Sequence, residues 1–232
     1  MIDPAEASSE DLDQPIDDLP QERVSLDASD PGTDKQMGPV QITRLAFIVE
    51  TVLVVIALAA AIWFDFYDRD RPMTAWFTGH WIGSLAIGSL LALPLFVLII
   101  VILPSIPPLR DVFESIEDSV APLFKGMKLW QAAVISLLAG MGEEIFFRWC
   151  LQGGLAQSMP MVTAIIIASV IFGACHWLNT TYFVLTTIIG VILALIYLNA
   201  GPLAAIACHA VYDFFAIRYL IRKNPDHQSY SD

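Results

Sequence analysis

Charged residues are scarce in this sequence. Only 16% of its 232 residues are Asp, Glu, Lys or Arg, whereas a water-soluble domain carries about a quarter. Hydrophobic residues make up 56%, and the mean hydropathy is +0.62. This composition excludes an ordinary soluble domain and indicates that lipid is the solvent for most of the chain.

Cysteine is also rare. Cys150, Cys175 and Cys208 all fall inside apolar stretches, and their odd number and wide spacing give neither a disulfide framework nor a zinc-finger pattern. We therefore expect three small buried residues. The N-terminus lacks a basic start followed by a short apolar run, so the sequence predicts no cleaved signal peptide.

Negative charge is concentrated at the N-terminus. Residues 1–40 contain eleven Asp or Glu and two Lys or Arg, so they account for -9 of the net charge of -12. They show no apolar periodicity, and such a segment cannot bury enough apolar surface to fold. We predict a disordered acidic tail over 1–40 and a polar tail over 223–232. A balanced hydrophobic body beside an acidic tail argues against nucleic acid as a partner.

Long hydrophobic runs are what the sequence has in plenty. About 20 apolar residues are needed for a helix to cross a bilayer. Six runs meet this requirement: 43–64, 80–103, 128–150, 160–178, 181–199 and 202–222. The predicted fold is an all-α, polytopic transmembrane helical bundle of about six spans. Residues 41–127 hold two of these spans and, over 104–127, an amphipathic linker at the membrane interface.

The distribution of basic residues predicts the orientation. With six spans, both termini, the 104–127 loop and the turn near Asn179 share one side. That side carries Arg23, Lys35, Arg44, Arg110, Lys125, Lys128, Arg218, Arg222 and Lys223. The opposite side carries only Arg69 and Arg71. The positive-inside rule then predicts a multi-pass protein of the plasma (inner) membrane with both termini in the cytoplasm.

Three ionisable residues interrupt the third span. Ionisable groups inside a membrane are costly, so Glu143, Glu144 and Arg148 are candidates for a functional site. Glu144 and Arg148 are four residues apart and share a helix face, which suits an ion pair. Glu143 points about 100° away and is left to project into a polar cavity. The alternative is a structural charge cluster that holds helices together.

Two later spans contribute complementary polar groups. His176 follows Phe172 by one turn, so the ring can orient the imidazole; alone it could equally be a hydrogen-bonded core histidine. His209 and Asp213 are also one turn apart, and the alternative there is a self-satisfied pair. Glu50, in the first span, has no obvious partner, and we expect it to reach the interface or pair with Arg44.

These segments resemble a known family, the CAAX proteases and bacteriocin-processing (CPBP) intramembrane proteases. Its signature is EExxxR, then FxxxH, then HxxxN or a close variant on a later helix. The corresponding segments here are Glu143 to Arg148, Phe172 to His176 and His209 to Asp213. The resemblance covers roughly residues 128–220, so 128–222 is expected to be a CPBP-like catalytic helical core.

The resemblance implies an intramembrane endopeptidase that acts on a membrane-bound or lipidated peptide or protein; some members remove the tripeptide after a prenylated cysteine. By position, Glu143 and His176 would activate the attacking water. His209 and Asp213 would stabilise the oxyanion, and Arg148 would orient Glu144.

Asp213 departs from the family, in which many members have asparagine. An ionised aspartate cannot donate a hydrogen bond to an oxyanion. Either Asp213 is protonated, or it accepts from His209 and only the imidazole donates. A third possibility is a divalent metal such as zinc, held by Glu143, His176, His209 and Asp213. The sequence leaves metal-free and metal-dependent chemistry open.

Two other classes of function are compatible with the sequence. A non-proteolytic immunity or scaffold protein of the same fold would use the acidic tail as a docking arm. A proton-coupled transporter would use the buried Glu, His and Asp residues as a relay. The absence of a repeat between the two halves of the chain argues against the transporter.

Overall fold

The computed structural model describes residues 37–223, and these residues contain helices and connecting turns but no strand. This confirms the predicted all-α class. The principal helices are α1 (Pro39–Phe64), α2 (Trp81–Phe96), α3 (Pro107–Val120), α4 (Leu129–Glu143), α5 (Gly153–Ala156), α6 (Met161–Cys175), α7 (Thr180–Ala200) and α8 (Pro202–Lys223). Of the predicted tails, 1–40 and 223–232, the parts 1–36 and 224–232 lie outside the described residues, whereas Pro39 and Val40 belong to α1 and Lys223 to α8.

Each of the six predicted spans corresponds to a helix. Four helical segments are long and apolar enough to cross a membrane: Pro39–Phe64, Trp81–Ser105, Thr180–Ala200 and Pro202–Lys223. The third span is α4 continued by a π-helix, Glu144–Gln152, and by α5; it carries the ionisable residues. The fourth is α6, an apolar helix of only 15 residues. The chain is a membrane protein.

Local chemistry explains where several helices begin and end. Asn179 caps α7, because its side-chain oxygen accepts a hydrogen bond of 2.9 Å from the Tyr182 backbone N–H. Gly201 ends α7 with a φ of 92°, a conformation that favours glycine, and Pro202 then starts α8. Beyond Pro94, α2 continues as π-helical turns over Val97–Ile102. A proline inside a helix removes a backbone donor, which accounts for irregular turns nearby.

Helix α8 lies at the centre of the bundle and packs against α2, α4 and α7, while α1 packs against α4 and α6 against α7. Two glycines of α4 allow these close approaches. A Cβ on Gly140 would lie 2.9 Å from the Ala210 backbone nitrogen of α8. A Cβ on Gly142 would lie 2.3 Å from the Glu50 Oε2 atom of α1. Both helices are therefore held directly beside the end of α4 that carries Glu143.

The predicted amphipathic linker is the helix α3. Its apolar residues Phe113 and Ile116 are buried, as expected. Glu117 of α3 accepts a hydrogen bond of 2.9 Å from the Tyr219 hydroxyl and forms an ion pair with Lys223, so α3 is tied to the C-terminal end of α8. Asp111 of α3 lines a groove together with Asn179 and Thr180. These segments therefore lie at one end of the bundle.

The expectation that all three cysteines are buried is wrong for Cys175. Cys150 and Cys208 are buried, whereas Cys175 is exposed. The reason is position: Cys175 is the last residue of α6, and its neighbour Phe172, not Cys175, lies on the face that packs into the bundle.

Candidate functional site

Three helical segments bring the ionisable residues together. Glu143 is the last residue of α4, and Glu144 and Arg148 belong to the π-helix that follows. His176 lies at the end of α6, and His209 and Asp213 lie on α8. Single π-helical segments inside helices occur often at functional sites. Here the change from α to π geometry falls between the two adjacent glutamates.

Glu144 and Arg148 form the interior of the site. The Arg148 Nε atom lies 3.2 Å from Glu144 Oε2, and the two side chains are 0% and 1% exposed. The pairing predicted from their spacing is therefore present. Glu144 has a further partner that the sequence did not indicate: its Oε1 atom lies 3.0 Å from His209 Nδ1. One carboxylate thus holds both a guanidinium and an imidazole.

Glu143 lies between the two histidines. Its Oε1 atom is 3.7 Å from His176 Nε2, and its Oε2 atom is 3.7 Å from His209 Nε2. The side chain is 13% exposed, against 30% for His176. These separations are too long for direct hydrogen bonds. The two histidine Nε2 atoms and the Glu143 carboxylate therefore face a common space.

The end of α6 fixes the orientation of His176. The backbone N–H of His176 bonds to the Gly173 carbonyl at 3.1 Å, while the His176 Nδ1 atom lies 2.8 Å from the Phe172 carbonyl. A carbonyl can only accept, so Nδ1 carries the hydrogen. In the neutral ring Nε2 then has a lone pair directed toward Glu143. The Phe172 ring packs against the imidazole at 4.5 Å between centroids, as the sequence predicted.

His209 and Asp213 complete the group. The His209 Nε2 atom lies 3.5 Å from Asp213 Oδ2, and Asp213 is 27% exposed whereas His209 is 6% exposed. Since Nδ1 of the same ring contacts Glu144, carboxylates lie near both nitrogens. The Phe172 ring lies 6.0 Å from the His209 ring and 5.0 Å from the Arg148 guanidinium. Phe172 thus packs among the three motifs.

The six residues singled out from the sequence therefore lie together, joined by contacts across three helical segments. The family model of "Type II CAAX prenyl endopeptidase Rce1-like" matches residues 125–215. The resemblance read from the motifs is confirmed. No significant match was found among curated proteins or among solved structures.

The Rce1-like segment contains all three motifs and the helices that position them, from the start of α4 to Asp213 of α8. It leaves out α1, α2 and α3. The similarity supports a membrane endopeptidase of the CAAX-protease kind. The family match therefore does not cover the α1 residues that contact this segment.

The proposed metal ligands do not form a metal site in the described structure. Within residues 37–223, no group of three or more His, Cys, Asp or Glu side chains has the arrangement needed to hold a metal ion. The His209 Nδ1 atom contacts Glu144, and its Nε2 atom lies 3.7 Å from Glu143 Oε2 and 3.5 Å from Asp213 Oδ2.

The expectation for Glu50 is also wrong. It neither reaches the interface nor pairs with Arg44: its side chain is buried, with 7% exposure, and packs against Gly142. The sequence did contain an indication, because an isolated acidic residue inside an apolar span is by default a candidate for a functional site. What the sequence could not show is that Gly142, immediately before Glu143, creates the space for it.

Proposed function

We propose that this chain is an intramembrane endopeptidase in which Glu143 and His176 activate water to hydrolyse a peptide bond of a membrane-associated substrate. The observation that carries the proposal is the position of the Glu143 carboxylate, 3.7 Å from the Nε2 atoms of both histidines. The Rce1-like match over residues 125–215 supports the reaction class.

Water activation follows from two acceptors that face one space. The Nε2 lone pair of neutral His176 and the Glu143 carboxylate can each accept one hydrogen of the same water molecule. As the water oxygen attacks the carbonyl carbon, one proton passes to Glu143. The carbon–nitrogen bond then breaks, and Glu143 returns the proton to the leaving amine. General acid–base catalysis of this kind contributes about 10²- to 10⁴-fold.

The oxyanion needs a donor, and His209 supplies it. Nδ1–H of His209 donates to Glu144, and the carboxylates of Glu143 and Asp213 near Nε2 favour a hydrogen on that nitrogen as well. Asp213 accepts from this Nε2–H until the oxyanion forms and replaces it as the acceptor, which is one of the alternatives left open by its replacement of asparagine. Arg148 keeps Glu144 ionised for this task.

The access route favours a substrate at the membrane surface. Exposure falls from His176 and Asp213, at 30% and 27%, through Glu143 at 13% to Glu144 and Arg148 at or near zero. The open side of the site is thus the end of the short helix α6, which is also the end that holds α3. A peptide anchored in the bilayer, by a lipid or by its own helix, is delivered to this opening.

The test is peptide-bond cleavage by the purified full chain in lipid nanodiscs. Native membrane proteins serve as substrate, and new termini are identified by mass spectrometry. Glu143→Gln should lower the rate at least about 100-fold, because the amide cannot accept the proton. Glu114→Gln is the matched control, since Glu114 is an exposed carboxylate on α3. Equal sets of new termini from the wild type and Glu143→Gln would contradict the proposal.

A further inference from the structure

The loop between α1 and α2, residues 65–80, lies against the π-helical segment that carries part of the site. The Asp68 backbone N–H donates a hydrogen bond of 2.7 Å to the Trp149 carbonyl. Further along the same chain, the Gln157 side-chain amide donates to two carbonyls of the loop, each at 2.8 Å. The loop therefore follows the chain from Trp149 to Gln157, and it lies outside the segment that the family model matches.

The bond from Asp68 occupies a carbonyl that an α-helix would use for itself. In an α-helix each N–H bonds to the carbonyl four residues earlier, so the Gly153 N–H would pair with the Trp149 carbonyl. In this structure the Gly153 N–H bonds instead to the carbonyls of Arg148 and Cys150, on either side of it. The loop thus competes with the α-helical bond and favours the π geometry.

The Asp68 side chain is held in place by three donors. It is 5% exposed, and its Oδ2 atom accepts a hydrogen bond of 3.0 Å from the hydroxyl of Tyr197, a buried residue of α7. The same oxygen pairs with Arg71 at 3.2 Å, and Oδ1 accepts from the Asp70 N–H at 3.0 Å. Arg71 also donates to the Leu198 carbonyl at 3.1 Å. Helix α7 therefore fixes where the Asp68 N–H points.

The π geometry matters to the site because Glu144 and Arg148 both lie within it. Successive residues of an α-helix are about 100° apart, so converting the π turn to α geometry would rotate one end of the segment against the other. Glu144, at the start, is buried against His209, and the Trp149 ring packs at 5.0 Å from the Tyr67 ring of the loop. After such a rotation the two residues could not both keep these contacts.

We propose that Asp68 is a positioning residue of this site. Through its backbone bond to Trp149, and held by Tyr197 and Arg71, it keeps Glu144–Gln152 in π-helical geometry. It thereby keeps the Glu144–Arg148 pair in the orientation that holds His209. The catalytic consequence rests on the proposed function, whereas the coupling between the loop and the π-helical segment does not depend on proteolysis.

Hydrogen–deuterium exchange of the full chain in nanodiscs tests this coupling without a substrate. Asp68→Ala removes the side-chain acceptor, so exchange should rise at least about tenfold both in the loop and over 144–152, because amides exchange when their local structure opens. Asp65→Asn is the matched control, since Asp65 pairs with Arg69 on the exposed surface of the same loop. It should leave exchange over 144–152 unchanged. Unchanged exchange over 144–152 in Asp68→Ala overturns the proposal.

Cleavage rates per folded molecule test the positioning role. Asp68→Asn keeps an oxygen that accepts from Tyr197, so it should retain kcat within about threefold, whereas Asp68→Ala should lose about tenfold or more. Gly153→Ala should cause a similar loss with Asp68 intact, because a Cβ on Gly153 would overlap the Asp68 backbone nitrogen. Thermal unfolding and gel filtration give the amount of folded protein.

A wild-type rate per folded molecule in Asp68→Ala overturns the positioning role. An Asp68→Asn variant as slow as Asp68→Ala also overturns it, because the hydrogen bonds to the side chain would then not be what positions the loop. If the wild type cleaves nothing, the proposed function fails, and the exchange data still decide whether Asp68 controls the π-helical segment.

Discussion

A guanidinium with no exposed surface is stable inside a membrane bundle only beside negative charge. Arg148 has that charge in Glu144, and the same carboxylate also binds His209 Nδ1. Removing either member of such a buried pair leaves an uncompensated charge, which costs about 3–5 kcal/mol. Glu144 therefore links the folding of the bundle to the orientation of the residue proposed to stabilise the oxyanion.

Asp213 gives the sharpest test at the level of a single residue. Its Oδ2 atom lies 3.5 Å from His209 Nε2. If it serves as a hydrogen-bonding neighbour of His209, Asp213→Asn should keep the cleavage rate within about fivefold, because the amide can still accept and can also donate to the oxyanion. Asp213→Leu provides neither interaction and should lower the rate about 100-fold or more.

The comparison between these two variants is informative in both directions. Steady-state rates of the purified variants in nanodiscs give the ratio, and thermal unfolding controls for stability. An Asp213→Asn variant as slow as Asp213→Leu would mean that the negative charge itself is required. The role of Asp213 as a hydrogen-bonding neighbour would then be wrong.

At the scale of helices, the site depends on how closely α8 approaches α4. The distances of 3.0 to 3.7 Å that link His209 to the two glutamates cross this interface. They require Gly140, because any side chain there would meet the backbone of Ala210, the residue after His209. Small residues at helix contacts are the usual means of close approach in membranes.

Gly140→Ala should therefore lower activity more than stability. The added Cβ would lie 2.9 Å from Ala210 atoms, so α8 must shift and carry His209 away from Glu143. A displacement of about 1 Å at a reacting group can cost about 100-fold in rate. The measurement is the cleavage rate beside the unfolding temperature. Gly83→Ala on α2 is the matched control, since its Cβ would meet only the His80 side chain at 3.9 Å.

A normal rate in Gly140→Ala would show that the site tolerates movement of α8. If the rate falls only in proportion to the amount of folded protein, the argument that Gly140 positions His209 is also wrong. The control variant must keep both properties for either result to be interpretable.

The sequence predicts the helices and the contacts within one helix better than it predicts the contacts between helices. The helices were predictable because about 20 apolar residues define a span, and α7, predicted over 181–199, is Thr180–Ala200. The Glu144–Arg148 pair followed from helical spacing. The contact between Glu144 and His209 and the burial of Glu50 could not be predicted from spacing, because both depend on packing between helices that are distant in sequence. A helical period assigns faces within one helix but says nothing about which helices meet.

For the whole molecule, the described helices place several predicted cytoplasmic segments at one end. Glu117 of α3 contacts Tyr219 near the end of α8, and Ile42 of α1 packs in the same cluster as Met127 and Ile221. Asn179, beside α3, also lies there. The basic residues Arg44, Arg110, Lys128, Arg218 and Arg222 belong to these segments, so the positive-inside rule favours this end for the cytoplasm.

Cys175 allows this orientation to be tested in the native sequence. It is exposed and adjacent to His176, whereas Cys150 and Cys208 are buried, so a bilayer-impermeant maleimide should react at Cys175 alone. Labelling should occur in sealed inverted vesicles and be absent from sealed right-side-out vesicles. Cys175→Ser is the control and should abolish it. Labelling restricted to right-side-out vesicles would reverse the orientation and place the opening of the site, together with any membrane-anchored substrate, on the opposite side of the membrane.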